Sequence, residues 1–182
     1  MISLKAKKEL LENGKVLNTL VKRFYSNKNL DNLEAIFLCL IDSDLSVPID
    51  SNMKKKDIKE IEKLNKNEKY VNKKSIEIRP DWLRVPGEDK VFLPIFSNEE
   101  EATPDYSKGF LWISLTLDDC LKMVEDNKNC KGLVLNAFTN PIEIEGELLD
   151  ALKTMLKETR EVEKVIKDEK EEGIEYPNID DV

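Results

Sequence analysis

The feature that most restricts this chain is the run KGLVLN at residues 131–136. Its centre lacks the polar alternation of a half-exposed strand. It reads as a β-strand buried on both faces, which calls for a sheet with covering layers. Residues 90–96, rich in Val, Phe, Leu and Ile, form a second strong strand.

Helical patterns surround these strands. Residues 4–24 read as a helix with Leu10, Leu17, Val21 and Phe24 on one stripe, Leu20 beside it and Gly14 interrupting. After a polar break at 26–29, Asp31 with Glu34 three residues on gives a capping-box pattern for a second helix. Its stripe is Leu33, Ile36, Phe37 and Leu40. Residues 45–49 are a short strand in which Pro48 cannot donate to a ladder, so an edge strand or strand end is expected. Strands at 75–79 and 90–96, with a turn at Pro86-Gly87-Glu88-Asp89, are expected to pair as an antiparallel hairpin. Residues 97–100 cap a short helix that Pro104 ends. A strand at 110–115 precedes a helix at 117–126, capped by Thr116 and Asp119 and striped by Leu117, Cys120, Leu121 and Val124. That helix could be the right-handed crossover of a parallel pair. After a short strand at 141–144, the last helix spans 146–170. Leu148, Leu152, Met155, Thr159, Val162 and Ile166 alternate steps of four and three along it, a heptad-like seam.

The fold class is therefore α+β: a mixed β-sheet with helices packed on it, plus long N- and C-terminal helices. With 182 residues, one domain with an added arm is expected. The division is a helical extension at 1–28, an α+β domain at 29–152 with a Lys-rich insertion at 52–74, and an acidic helix and tail at 153–182.

Charged residues make up 36% of the chain and the net charge is −8, which opposes a nucleic-acid role. The insertion holds nine lysines against four acids, and residues 143–182 hold fourteen acids against six basic residues. Two solvated faces that satisfy each other are the plain reading, and a basic docking surface for an acidic partner is the sharper one. No apolar run reaches the ~20 residues of a membrane span. The N-terminus shows no long apolar stretch of a secretory signal. Cys39, Cys120 and Cys130 form no CxxC pair, which fits reduced thiols and a cytoplasmic location. Cys130 falls in a polar loop and reads as the one exposed thiol.

The chain has no histidine, so imidazole-based nucleophile systems, His-ligated metals and imidazole proton shuttles are excluded. There is no phosphate-binding Gly motif and no nucleophile elbow. Acidic runs at 99–101 and 169–172 read as solvated faces. Catalytic residues, cofactor and metal are all expected to be none. Trp82, in a loop near prolines, either plugs a sheet edge or serves as a binding anchor. Trp112 reads as core.

FLPIFSNEEEA at 92–102 and GLVLNAF at 132–138 resemble the two signatures of the SseB family, named for enhanced serine sensitivity. RPDWL at 79–83, LSVPI at 45–49 and NLEAIF at 32–37 match accompanying positions. The resemblance covers about 32–152. It implies the compact α+β N-terminal module of that family, named for a phenotype and without a demonstrated enzymatic mechanism, so no catalytic residue is carried over. The N-terminal helix, the Lys-rich insertion and the acidic helix depart from the family pattern.

The expected function is a non-enzymatic cytoplasmic protein-interaction or regulatory module. Its candidate surface comprises Arg79, Trp82, Asn136, Asn140, Leu148, Leu152 and Met155. The partner is an unknown protein, and nucleic acid is not expected. The seam is expected to pack on the 4–24 helix, with a homodimer through the terminal helices as the alternative. A metabolite sensor or enzyme connected with amino-acid metabolism is the second reading, with Arg79, Asn136, Thr139 and Asn140 as its polar groups.

Overall fold

A computed structural model of the chain describes residues 14–51 and 78–171. The described elements are α1 (Lys15–Ser26), α2 (Leu30–Asp42), β1 (Leu45–Ser51), β2 (Ile78–Pro80), β3 (Leu83–Arg84) and β4 (Val91–Ile95). There follow a 3-10 turn (Glu99–Glu101), α3 (Pro104–Ser107), β5 (Leu111–Leu115), α4 (Leu117–Asp126), β6 (Cys130–Leu135), β7 (Ile142–Glu145) and α5 (Glu147–Glu171). The architecture is α+β.

The strands form two sheets joined at one point, where a single mixed sheet was expected. One is antiparallel, ordered β2-β1-β5, and the other is mixed, ordered β3-β4-β6-β7. β4 and β6 run parallel with α4 on the connection between them. The strand just before α4, β5, lies in the other sheet, so the expected parallel pair of 110–115 with 131–136 is corrected. The sheets touch where Ser46 and Phe96 exchange both backbone hydrogen bonds at 2.9 Å. Beyond that point β1 leaves β4 and takes up β2, so the sheets fork. Pro48 sits at the fork. Its carbonyl accepts from the Asp81 amide at 3.0 Å, and in an extended residue the nitrogen faces the same edge. The missing N–H thus falls where the ladder changes partner, so a proline is tolerated in a strand paired on both sides. The expected edge position of Pro48 is corrected accordingly.

The expected hairpin is also corrected. β4 pairs with β3, while β2 pairs with β1 through Ile49 opposite Pro80. The backbone from β2 to β3 thus crosses the fork, bonded to one sheet and then the other.

One face of the strands carries the core. Leu45, Val47, Ile49, Leu93, Ile95, Leu133, Leu135, Ile142 and Ile144 alternate with outward residues and meet the four longer helices. Those helices contribute Leu17 and Val21, Ile36 and Leu40, the whole expected stripe of α4, and Leu149, Leu152 and Leu156. Each fully buried aliphatic side chain stabilises by roughly 1.5–3 kcal/mol. The opposite face presents Pro48, Phe92, Pro94, Phe96, Trp112 and Val134, with α3 nearby in sequence.

Several element ends differ from expectation. Asn29, not Asp31, caps α2, its side chain accepting from the Asn32 amide at 2.8 Å. Pro104 does not end a helix but begins α3, with Thr103 as cap. Cys130 lies half-buried at the start of β6, not in an exposed loop. The buried stripe of α5 is Leu149, Leu152 and Leu156, so the expected seam is rotated: Leu148 is exposed and Met155 half-buried. Among the described residues α5 packs on β7 and α2 more than on Lys15–Ser26. Residues 4–13 of that helix, the insertion 52–74, residues 75–77 and the tail after 171 lie outside the described residues.

Candidate functional site

The fork opens a cleft of about 490 Å³ whose lining includes Arg79, Asp81, Trp82, Arg84 and Phe110. Arg79 faces Asp50 across the β1–β2 ladder. The chain must turn from one sheet to the other here, which sets Trp82 half-buried against the core and leaves Arg84 exposed. The Asp81 carboxylate accepts a hydrogen bond from the Tyr106 hydroxyl. Burial, then that bond and the carboxylate's charge, push the Tyr106 hydroxyl well above its ordinary pKa. It stays a donor at any physiological pH.

Tyr106 opens an aromatic cluster on the face opposite the helices. Its ring lies 4.6 Å from Phe138 and 4.8 Å from Phe110, and Phe96 meets Trp112 edge-on at 5.3 Å. The Trp112 indole donates to the Ser107 carbonyl at 3.2 Å, so Trp112 is half-buried at this cluster and not in the helix-side core. Phe138 remains 40% exposed.

At the other end of β4 and β6 lies a polar knot. Asn136 is fully buried with a left-handed backbone, φ 50. Its Oδ1 accepts from the Ser97 amide at 2.9 Å and its Nδ2 donates to the Ser97 hydroxyl at 3.3 Å. Beside it the buried Glu101 carboxylate accepts from Asn18 Nδ2 and, at 2.6 Å, from the Thr139 hydroxyl. Gly14 closes against this knot: a Cβ there would sit 1.8 Å from the Ser97 carbonyl oxygen. Asn136 and Thr139 therefore hold strand ends, a turn and α1 together.

The candidate residues thus fall in three places. Arg79 and Trp82 share the cleft, near the start of β4 and β6. Asn136, Thr139 and Asn140 lie just past the end of β6, and five residues of strand span roughly 16 Å. The convergent pocket of Arg79, Asn136, Thr139 and Asn140 does not form. Leu148, Leu152 and Met155 lie on α5. There a groove of about 820 Å³ runs between α4 and α5, floored by Leu121 and Leu156 and rimmed by Lys122, Lys153, Lys157 and Glu161. Arg160 ties α5 down. It donates to Asp118 at 3.1 Å, to Glu163 at 2.9 Å and to the Ile41 carbonyl at 3.2 Å. Past it, Val162, Val165 and Ile166 are 57%, 54% and 38% exposed.

Sequence reasoning missed Tyr106, Phe138, Glu101 and Arg160. The one usable signal was the density of aromatics between positions 96 and 138.

Nucleophilic chemistry finds no support among the described thiols. Burial pushes Cys120 up to about 12 and raises Cys39 and Cys130 as well. Among the described residues no group of three or more acidic or thiol side chains is placed to hold a metal ion. No described helix is long and apolar enough to cross a membrane. Compared with protein-family models, with curated proteins and with solved structures, the chain finds no match.

Proposed function

We propose that the chain is an SseB-like module that acts in the cytoplasm by binding a protein partner and carries out no chemistry of its own. The observation that carries this reading is the distal half of α5. Beyond Arg160 the helix keeps Val162, Val165 and Ile166 on its surface at spacings of three and four, one helical face left exposed among the described residues. Such a face suits an amphipathic helix or apolar groove on a partner. The resemblance to the SseB family supports the reading in a second way. The segment FLPIFSNEEEA supplies β4 and the 3-10 turn, GLVLNAF supplies β6 and its turn, and Ser97 bonded to Asn136 joins them.

The test is capture from the native cell with wild type and with Val162→Asp/Ile166→Asp. The expected result is one partner retained by wild type and lost by the double variant, with unchanged melting of the isolated protein. Equal capture by both proteins rejects this face as the binding surface. The cleft at the fork favours a second reading, a sensor for a small ligand bearing both charges, since two arginines and two aspartates line it beside Phe110. Thermal shift with amino acids and nucleotides separates the two, because a ligand at a hundredfold its Kd adds about 2.7 kcal/mol.

A further inference from the structure

Sheet margins expose unpaired backbone groups, and folded proteins blunt them with charges, prolines, bulges or short length. β2 and β3 have three and two residues and lie at the fork. β7 alternates exposed Glu143 and Glu145 with its buried isoleucines. β5 has none of these defences. It is five residues long, reads Leu-Trp-Ile-Ser-Leu, and pairs with β1 alone among the described strands.

The register shows which groups point outward. Ser46 bonds to Phe96 and Pro48 to Asp81, both on the side of β1 away from β5. Leu45, Val47 and Ile49 therefore bond towards β5, where they face Leu115, Ile113 and Leu111. The N–H and C=O of Trp112 and Ser114 are left on the outer margin. No backbone partner takes them among the described residues.

We propose that β5 pairs antiparallel with β5 of a second copy of this chain, about a two-fold axis through Ile113. In this register Trp112 lies opposite Ser114 of the other copy, and Ser114 opposite its Trp112, which gives four backbone hydrogen bonds. Large meets small on one face, and on the other Leu111 meets Leu115 and Ile113 meets its own counterpart. No charge on the strand opposes the contact. Ile113 and Leu115, half-buried at the margin of the core, gain cover, so the two cores become continuous. A strand contact of this length buries less than the roughly 1,200–2,000 Å² of a standard interface, so the dimer dissociates on dilution. This surface is separate from the distal face of α5.

Sedimentation of the full chain, from low micromolar to near-millimolar concentration, tests it. Wild type should move from 21.0 kDa towards twice that mass. Hydrogen exchange at Trp112 and Ser114 should slow as it does so. Ser114→Pro removes only an outward N–H, and Ser114→Lys keeps the backbone and adds a charge. Each should weaken association by about tenfold or more, with dilute-solution melting close to wild type. If the proline variant does not fold, the lysine variant decides. The proposal fails if wild type stays monomeric throughout, whatever else then protects the strand. It fails equally if both variants dimerise like wild type, or if Val162→Asp alone abolishes the dimer.

Discussion

At position 136 the chain needs a residue that accepts a left-handed backbone and carries an amide, and asparagine supplies both. The two demands can be separated. Asn136→Gly keeps the conformation and leaves the buried Ser97 N–H unpaired, at a cost of roughly 1–3 kcal/mol. Asn136→Ala leaves the same N–H unpaired and adds the strain of a left-handed non-glycine residue, roughly 1–2 kcal/mol. Urea unfolding should therefore rank wild type above Asn136→Gly and Asn136→Ala last. Equal stability of the two variants would show that backbone strain plays no part. The sequence showed an asparagine after a buried strand, which fits a structural turn and a ligand site alike. Only the contact with Ser97, thirty-nine positions away, decides between them. Glu101 was hidden for the same reason. Within Glu99-Glu100-Glu101 nothing local marks the third acid as the one that turns inward to Asn18 and Thr139.

Elements with local causes were readable. Thr116 and Asp119 form the full capping box at the start of α4, and the stripe behind them is buried as its spacing requires. The bonds from the Thr116 hydroxyl and then its backbone hold the Asp119 carboxyl below the usual aspartate range. A carboxyl depressed in the folded state adds stability above the ordinary value, ~4, and loses it as pH falls through the folded value. Thr116→Ala should cost about 1 kcal/mol near neutral pH, and the difference should shrink in acid, as read by thermal unfolding across pH. A constant difference down to pH ~2.5 would show that Asp119 makes no contribution through the cap. Where two residues could serve equally, as Asn29 and Asp31 before α2, pattern alone chose the wrong one. Pro104 was ambiguous too, since proline suits both the residue after one helix and the first turn of the next.

On the scale of the whole molecule, six of the seven described strands were legible in their order of appearance; the two-residue β3 and the strand partners were not. Hydrophobic alternation states which face a strand buries and is silent about its neighbour, so β4 was assigned to the wrong hairpin and the fork was invisible. α5 shows the same limit. Its heptad spacing was correct as arithmetic, but the body of the protein uses a stripe one position over, Leu149 and Leu156 flanking Leu152. A chain ending at Leu152 loses Leu156 and the Arg160 ties, and should be destabilised by roughly 2–5 kcal/mol. A chain ending after Glu163 keeps both and should melt near wild type. Equal melting of both would show that α5 packs through its first turns alone.

The parallel pairing of β4 with β6 joins positions forty apart, Phe92 opposite Gly132. A ribosome adds about 5–20 residues per second, so the Val-Phe-Leu-Pro-Ile segment emerges some 2–8 s before its neighbour exists. During that interval its only strand partner of the same sheet already made, among the described residues, is the two-residue β3. The nascent polypeptide therefore carries this apolar stretch without its central sheet neighbour throughout that window, and synthesis speed there sets how long it does so.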